Sequence, residues 1–254
     1  MSEPTKDAPH LQAYEQSAQD WDSTFSAQAL NRFHVDACWR VFESLFGAGF
    51  RGETLVELGV GTGLFTDRLA RRSGRLIAVD YSEQMLMALQ DKMSRNGISN
   101  VEYLCSKAEQ LDPIPDGSAD AVVCFGLLEN IAELGPLFAE IARTLKPGGR
   151  FTGVVSNADC PWYVLRQKLS GDKWYWKDVH LCTATELRSV GSAAALRAVD
   201  IRGWGLIPSQ LPNSGLLAPV AAVERLLERT PIRRWMGGLA FRFDKPERQG
   251  LPPA

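Results

Sequence analysis

The chain has 254 residues, with 28 lysines and arginines against 30 aspartates and glutamates, for a formal net charge of -2. This length supports a hydrophobic core without disulfides or metals, and the balanced charge excludes a global attraction to nucleic acid. The sequence has no secretory leader and no run of about 18 apolar residues, so we expect a cytoplasmic protein without an integral membrane segment.

The N-terminal part of the chain predicts two helices after a disordered tail at 1–10. Residues 14–25 place Tyr14, Trp21 and Phe25 seven and four positions apart, on one helical face. Residues 30–46 repeat apolar side chains at helical spacing and end at glycines.

The segment 55–66, L-V-E-L-G-V-G-T-G-L-F-T, predicts a buried strand, a glycine turn and a helix. Such a turn points backbone N–H groups at a small molecule above the sheet edge. The spacing fits neither a dinucleotide fingerprint nor a P-loop, and a carboxylate, Glu57, lies two positions before the first glycine. A carboxylate there repels a pyrophosphate and attracts an ammonium group.

The stretch V-E-L-G-V-G-T-G resembles the first motif of the class I S-adenosylmethionine-dependent methyltransferases. In that family the glycine turn binds the methionine part of the cofactor, and an acidic residue closing the second strand binds the ribose. The resemblance implies that S-adenosylmethionine contacts the following positions of the two strand ends: Glu57, Gly59, Val60, Gly61, Gly63, Asp80 and Tyr81. Ser82 is a suitable N-cap for the next helix.

Residues 14–25 also resemble the family's Y-x-x-x-A-x-x-[WY]-D segment, which folds over the cofactor as a lid. This implies that Tyr14 and Trp21 contact the cofactor. The alternative is a helix that simply packs its aromatic residues on the domain.

A third strand at 101–105 leads to a segment that resembles the family's adenine-binding motif. The family often has Asp before Ala, whereas this chain has Lys107, so the resemblance leaves Ala108 and Glu109 to contact adenine. A fourth strand at 119–125 ends at Phe125 and Gly126, which in this family border the cofactor. Glu129 is either a substrate contact or a carboxylate that starts a helix.

After a helix from Leu134 and a turn at 146–149, a fifth strand is predicted at 151–155. The following insertion is rich in aromatic residues, which in this family contact substrate: Trp162, Tyr163, Trp174 and Tyr175. The segment D-V-H-L-C-T-A-T-E-L resembles a family motif that implies a general base at His180, before a helix capped at Thr183 or Thr185. The alternative is a histidine that holds the flap by hydrogen bonds.

Strands at 198–205 and 239–243 complete the pattern, with a helix around 220–227 and a basic segment at 225–235 between them. This segment is a substrate cap, a dimer contact or a membrane-surface patch. The resemblance implies an α/β, doubly wound, mainly parallel seven-stranded sheet of order 3-2-1-4-5-7-6. We expect one domain at 11–246, with lid helices at 11–48, cap insertions at 157–182 and 207–236, and a loose tail at 247–254.

The five cysteines are odd in number and lack a C-x-x-C pair, which predicts neither a disulfide framework nor a metal site. Those in predicted strands, Cys105 and Cys124, are expected to be buried. Cys38, Cys160 and Cys182 lie outside the strands, and a thiol trio like that of the arsenite methyltransferases is the alternative.

The function implied by the resemblance is methyl transfer from S-adenosylmethionine to an oxygen or nitrogen of a small molecule, by a monomer or homodimer. One alternative is a protein or RNA methyltransferase, although no basic stripe indicates nucleic acid. The other is a protein that binds the cofactor without transferring methyl.

Overall fold

The computed structural model describes residues 29–163, 165, 180–205 and 217–247. Their strands form one seven-stranded sheet of order β3-β2-β1-β4-β5-β7-β6. In chain order the strands are β1 Gly52–Leu58, β2 Ser73–Asp80, β3 Val101–Cys105, β4 Ala119–Phe125, β5 Leu145–Ser156, β6 Arg197–Trp204 and β7 Gly238–Asp244. The predicted order is confirmed.

The five strands from β3 to β5 pair in parallel, whereas β7 runs antiparallel to both β5 and β6. Strand β4 is mostly apolar and the last four residues of β1 are buried, because helices cover both faces of the sheet there. Their carboxyl ends therefore lie side by side at one edge of the sheet.

Six helices are described, and the first five divide between the two faces of the sheet. In chain order they are α1 Ala29–Phe46, α2 Thr66–Ala70, α3 Glu83–Arg95, α4 Leu134–Thr144, α5 Ala184–Ala193 and α6 Leu217–Leu227. The apolar core under α1, α2 and α3 is separate from the core under α4 and α5. Two short 3-10 turns, Leu128–Asn130 and Pro231–Trp235, follow β4 and α6.

Helix boundaries follow from local chemistry. The hydroxyl of Ser82 accepts from the Met85 N–H at 3.3 Å, as predicted for the N-cap of α3. Thr183 is the N-cap of α5, where its hydroxyl and the Glu186 carboxylate form a reciprocal capping box. Helix α1 ends before Gly47, whose φ of +96° stops the helix.

Two predictions are corrected. Cys105 is exposed rather than buried, because β3 is an edge strand. The segment 146–149 is not a turn before the strand: β5 already begins at Leu145, which pairs with Ala119, and the register shifts before Arg150 pairs with Ala121. The extra residues between these two pairs form a bulge, which contains Gly148 and Gly149.

Several predicted features lie outside the described residues, namely the tail at 1–10, the lid at 14–25 with Tyr14 and Trp21, and Trp174 with Tyr175. Of the predicted cap insertions at 157–182 and 207–236, residues 164, 166–179 and 207–216 also lie outside them. In the described ranges, no helix is both long and apolar enough to cross a membrane.

Candidate cofactor and acceptor site

The candidate site lies where β1 and β4 end side by side. Across the sheet, β2 and β3 follow on one side of β1, whereas β4 and β5 follow on its other side. In open parallel sheets this reversal of strand order creates a crevice beyond the carboxyl ends. The glycine turn after β1 and Gly126 after β4 border that crevice.

The glycine turn is held by groups from two neighbouring elements, β2 and α3. The Gly59 N–H donates to the Val79 carbonyl of β2 at 2.8 Å. The Gly61 N–H donates to the Asp80 carboxylate at 2.8 Å. Lys92 of α3 donates to the carbonyl of Gly63 at 2.9 Å, so the turn is fixed before any ligand arrives.

Two glycines leave space in the crevice. Gly61 and Gly126 have φ angles of +52° and +63°, and a side chain added at either position would meet no atom within 4 Å. Positive φ explains the residue type, because other side chains are strained there. The open space beside both backbones is what a bound ligand needs.

Asp80 closes β2 and is buried. Its two oxygens accept the Gly61 N–H at 2.8 Å and the Ser82 N–H at 3.0 Å. A carboxylate offers about four acceptor positions, so lone pairs remain for hydroxyl donors. Burial raises the pKa of Asp80, and the backbone donors from Ser82 and Gly61 oppose that rise.

Glu57 lies on the same face of the sheet as Asp80 and is buried. Its carboxyl accepts a hydrogen bond from the Thr66 hydroxyl at 2.7 Å. Burial raises the pKa of Glu57 to about 8, although the Thr66 bond and the charge of Lys92 lower it. A cation placed nearby would restore the charged form.

The other predicted cofactor contacts lie on the flanks of the turn. Val60 is buried in the core under α1, so its backbone is the part nearest the ligand space. Tyr81 is 41% exposed just after Asp80. Ala108 is buried and Glu109 is half-buried in the turn after β3.

Phe125 belongs to an aromatic cluster that supports the crevice from below. Its ring centroid lies 4.4 Å from Phe65 and 4.6 Å from Phe42. Trp39 stacks on Phe65 at 5.5 Å. The cluster joins α1 to the end of β4, so the Phe125 side chain has a packing role in addition to any contact with a ligand.

Glu129 is a buried carboxyl with one oxygen committed and one without a partner. Its Oε1 accepts from the Ser156 N–H at 2.7 Å and from the Ser156 hydroxyl at 3.0 Å. Its Oε2 has no hydrogen-bond partner. Burial raises the pKa of Glu129, opposed by hydrogen bonds and by His180. A buried oxygen without a partner is uncommon, because buried polar groups are ordinarily hydrogen-bonded.

His180 is connected to the same group of residues. Its backbone N–H donates to the Glu129 carbonyl at 2.9 Å, and its Nε2 lies 2.8 Å from Glu186 Oε1. Because a carboxylate accepts hydrogen bonds, this contact favours the tautomer with its proton on Nε2 and a lone pair on Nδ1. The capping box of α5 fixes Glu186, which in turn orients the imidazole.

Metal-ligand atoms cluster at one place among the described residues. Atoms of His180, Cys182 and Glu186 lie within 4.8 Å of one another. Glu186 is already engaged by His180 and the capping box, and burial raises the pKa of the Cys182 thiol, which keeps it protonated. Cys38 and Cys160 are buried but belong to no such cluster there, so the thiol trio is not formed.

The described aromatic residues of the insertion follow the end of β5. Trp162 is exposed and Tyr163 is half-buried. Both come directly after a turn in which the Asn157 side chain accepts from the Asp159 N–H at 3.0 Å. They therefore lie beyond the carboxyl edge of the sheet.

Sequence reasoning missed the residues that position the site rather than contact a ligand. Lys92 and Ser156 act through hydrogen bonds that span 29 and 27 positions, so no local sequence pattern predicts their roles. Glu186 could have been found, because T-x-x-E before an apolar helix is the capping-box signature.

Comparison with known proteins gives a family match for the part of the chain that contains the glycine turn. Residues 56–152 match the family described as methyltransferase domain. The ubiquinone/menaquinone biosynthesis C-methyltransferase UbiE of Escherichia fergusonii is 35% identical over 126 residues, which cover 48% of this chain and 49% of that protein. The chain thus spans about half the length of the curated relatives it matches.

Solved structures share the fold. The partner of the Haloferax volcanii methyltransferase activator Trm112 has a TM-score of 0.67 and 21% identity, over 96% of this chain and 100% of that one. The geranyl diphosphate C-methyltransferase of Streptomyces coelicolor A3(2), solved with S-adenosylhomocysteine, has a TM-score of 0.59 and 18% identity, over 82% of this chain and 79% of that one.

The sheet order, the glycine turn and the family match agree. Residues 56–152 match the methyltransferase domain family, and the described strands have the Rossmann-like sheet order of the class I S-adenosylmethionine-dependent methyltransferases. S-adenosylmethionine is the cofactor of this family.

Proposed function

We propose that this protein transfers a methyl group from S-adenosylmethionine to a small molecule. The observation that carries the proposal is the pair of open glycine backbones, Gly61 and Gly126, beside the buried carboxyls of Glu57 and Asp80. A positively charged ligand with hydroxyl groups suits this set. Its cationic group would pair with the Glu57 carboxyl, whose pKa is raised by burial, and its hydroxyls would donate to Asp80.

The cofactor supplies an electrophilic methyl group, and the chain supplies binding and orientation. Glu57 binds the ammonium end, Gly59 to Gly63 follow the methionine part, and Asp80 binds the ribose. Ala108 and Glu109 border the adenine. The lid residues Tyr14 and Trp21 are proposed to close over the cofactor and exclude water.

The acceptor binds on the β4 and β5 side. Glu129 Oε2 offers a buried acceptor to a hydroxyl or amine of the substrate, because its other oxygen is held by Ser156. His180 Nδ1 takes the proton that an oxygen or nitrogen acceptor must lose. Aromatic side chains of the insertion, Trp162, Tyr163, Trp174 and Tyr175, form the apolar wall.

Calorimetric titration with S-adenosylmethionine and S-adenosylhomocysteine tests the cofactor site. Asp80→Ala should abolish binding, whereas Asp80→Asn should weaken it less because an amide oxygen still accepts the Gly61 N–H. Asp91→Ala, an exposed carboxylate on α3, is the control and should bind normally. Unchanged binding by Asp80→Ala would remove the ribose role.

A methyl-transfer screen of small phenols, amines and acids then tests the acceptor. The related UbiE is a C-methyltransferase, so enolisable carbon acceptors belong in the screen. Tight cofactor binding without transfer to any class of acceptor would indicate a binding protein instead of an enzyme.

The second candidate function is methylation of a protein or RNA, supported by the fold shared with the Trm112 partner. Labelled cofactor incubated with a cell extract separates the two candidates. Label in the low-molecular-weight fraction supports the small-molecule proposal, and label in protein or RNA supports the second. We also propose a cytoplasmic monomer or homodimer, which mass measurement in solution tests.

A further inference from the structure

The outer side of α6 and of the 3-10 turn that follows it presents large apolar residues to solvent. Their exposed fractions are 50% for Val223, 65% for Leu226, 46% for Ile232 and 43% for Trp235. Between them lie the exposed arginines Arg225, Arg229 and Arg234. We call these seven residues the basic apolar face.

The acidic residues of the same segment lie on the opposite side. Glu224 is 1% exposed, 3.8 Å from the Arg40 guanidinium of α1. Glu228 accepts two hydrogen bonds from Arg40, at 2.7 and 2.8 Å. Both carboxylates thus attach α6 to the body of the protein, and the charged groups left on the exposed side are cationic.

The arginines and the tryptophan are arranged for a boundary between water and an apolar phase. The Arg234 guanidinium lies 3.9 Å from the centroid of the Trp235 ring. Tryptophan is favoured at the headgroup level of membranes, where its ring is buried and its N–H stays wet. Arginine buries its stem while its guanidinium reaches phosphate groups.

The face is rigidly connected to the edge of the sheet. The buried Asn157, at the end of β5, donates to the carbonyls of Arg234 at 2.9 Å and of Met236 at 2.7 Å. Asn157 follows Ser156, which binds Glu129. The face therefore lies close to the carboxyl end of β5, on the acceptor side of the crevice.

We propose that the basic apolar face docks onto the anionic surface of a phospholipid membrane. Such docking combines insertion of the apolar side chains with attraction of the arginines to lipid phosphates. A symmetric contact with a second copy fits less well, because it would bring two cationic faces together. If methyl transfer occurs as proposed, docking brings the acceptor side toward lipid, which favours an amphiphilic acceptor.

Sedimentation with vesicles tests the docking without any need for the cofactor. The protein should sediment with vesicles of phosphatidylglycerol and phosphatidylcholine, much less with pure phosphatidylcholine, and less as salt rises. Changing Leu226 and Trp235 together to Gln should reduce binding roughly tenfold, since apolar burial is lost. Changing Arg225, Arg229 and Arg234 to Gln should cost about fivefold each, whereas changing them to Lys should cost little.

Met87→Gln is the matched control, because Met87 is 61% exposed on α3, away from this face. It should bind vesicles as the unchanged protein does. Circular dichroism and cofactor titration establish that each variant is folded. Equal binding to neutral vesicles, or binding that survives loss of Leu226 and Trp235, would overturn the proposal. A concentration-dependent dimer that the same two changes disrupt would assign the face to self-association instead.

Discussion

At the scale of single residues, Glu57 is a side chain whose charge depends on the proposed cofactor. Its pKa of about 8 results from burial, opposed by Thr66 and Lys92. At pH 7 most molecules of the unliganded protein carry the proton on this carboxyl. An ammonium group beside Glu57 favours the charged form, so binding and proton release are coupled.

We predict that binding of S-adenosylmethionine at pH 7 releases close to one proton from Glu57. Calorimetry in buffers of different ionisation enthalpy measures this number as the slope of the binding enthalpy. Glu57→Gln should bind more weakly and release no proton from this position. A slope of zero for the unchanged protein would contradict the assignment of Glu57.

The same pKa predicts a pH dependence of stability. The folded carboxyl binds its proton more tightly than the unfolded one, whose ordinary value is 4.5. The contribution of Glu57 to the free energy of unfolding is therefore largest below pH 4.5 and falls as pH rises toward 8. Urea titration of the unliganded protein should show this fall, and Glu57→Gln should lack it.

His180 provides a second prediction at this scale. His180→Ala should lower kcat by on the order of 100-fold or more for an oxygen or nitrogen acceptor, with cofactor affinity nearly unchanged. Glu186→Gln keeps a side chain that can complete the capping box, so its effect should be smaller and should alter the pH profile of kcat. If both variants turn over as fast as the unchanged protein, His180 is a structural residue.

At the scale of elements, the capping box of α5 links a helix end to the site. Thr183 accepts the Glu186 N–H at 3.0 Å, and Glu186 in turn binds His180. The sequence allowed a cap at Thr183 or Thr185, and the structure assigns it to Thr183. One local motif therefore fixes both the start of α5 and the carboxylate that orients the histidine.

Thr183→Ala should lower the free energy of unfolding by about 1 kcal/mol, because an N–H at the start of α5 loses its acceptor. Thr183→Ser is the control and should retain most of the stability. Urea denaturation of the three proteins measures the difference. If Ala and Ser behave alike, the capping bond contributes nothing and Glu186 is held by His180 alone.

At the scale of the whole molecule, a ligand that binds the folded state stabilises all of it. The glycine turn contacts β2, α3 and the end of β1, so cofactor binding is coupled to the packing of the central sheet. At one hundred times its Kd, S-adenosylhomocysteine should stabilise the fold by about 2.7 kcal/mol. A thermal scan with and without ligand measures the rise in Tm. Asp80→Ala should show no rise at the same concentration.

The sequence by itself determined the elements and the sheet order. The buried strands, the glycine turn, Asp80 at the end of β2 and the helix cap at Ser82 are local patterns, in which residue type and spacing decide the conformation. The resemblance carried by the glycine turn supplied the strand order, which the structure confirms.

Only the tertiary structure decided which side chains meet. The exposure of Cys105 depends on β3 lying at the sheet edge, and the hydrogen bonds to Glu129 Oε1 come from Ser156, 27 positions away. The basic apolar face likewise depends on Arg40 of α1, which draws Glu224 and Glu228 inward over a separation of up to 188 positions. Local sequence specifies backbone conformation, whereas burial and pairing follow from contacts between distant segments, which no local pattern encodes.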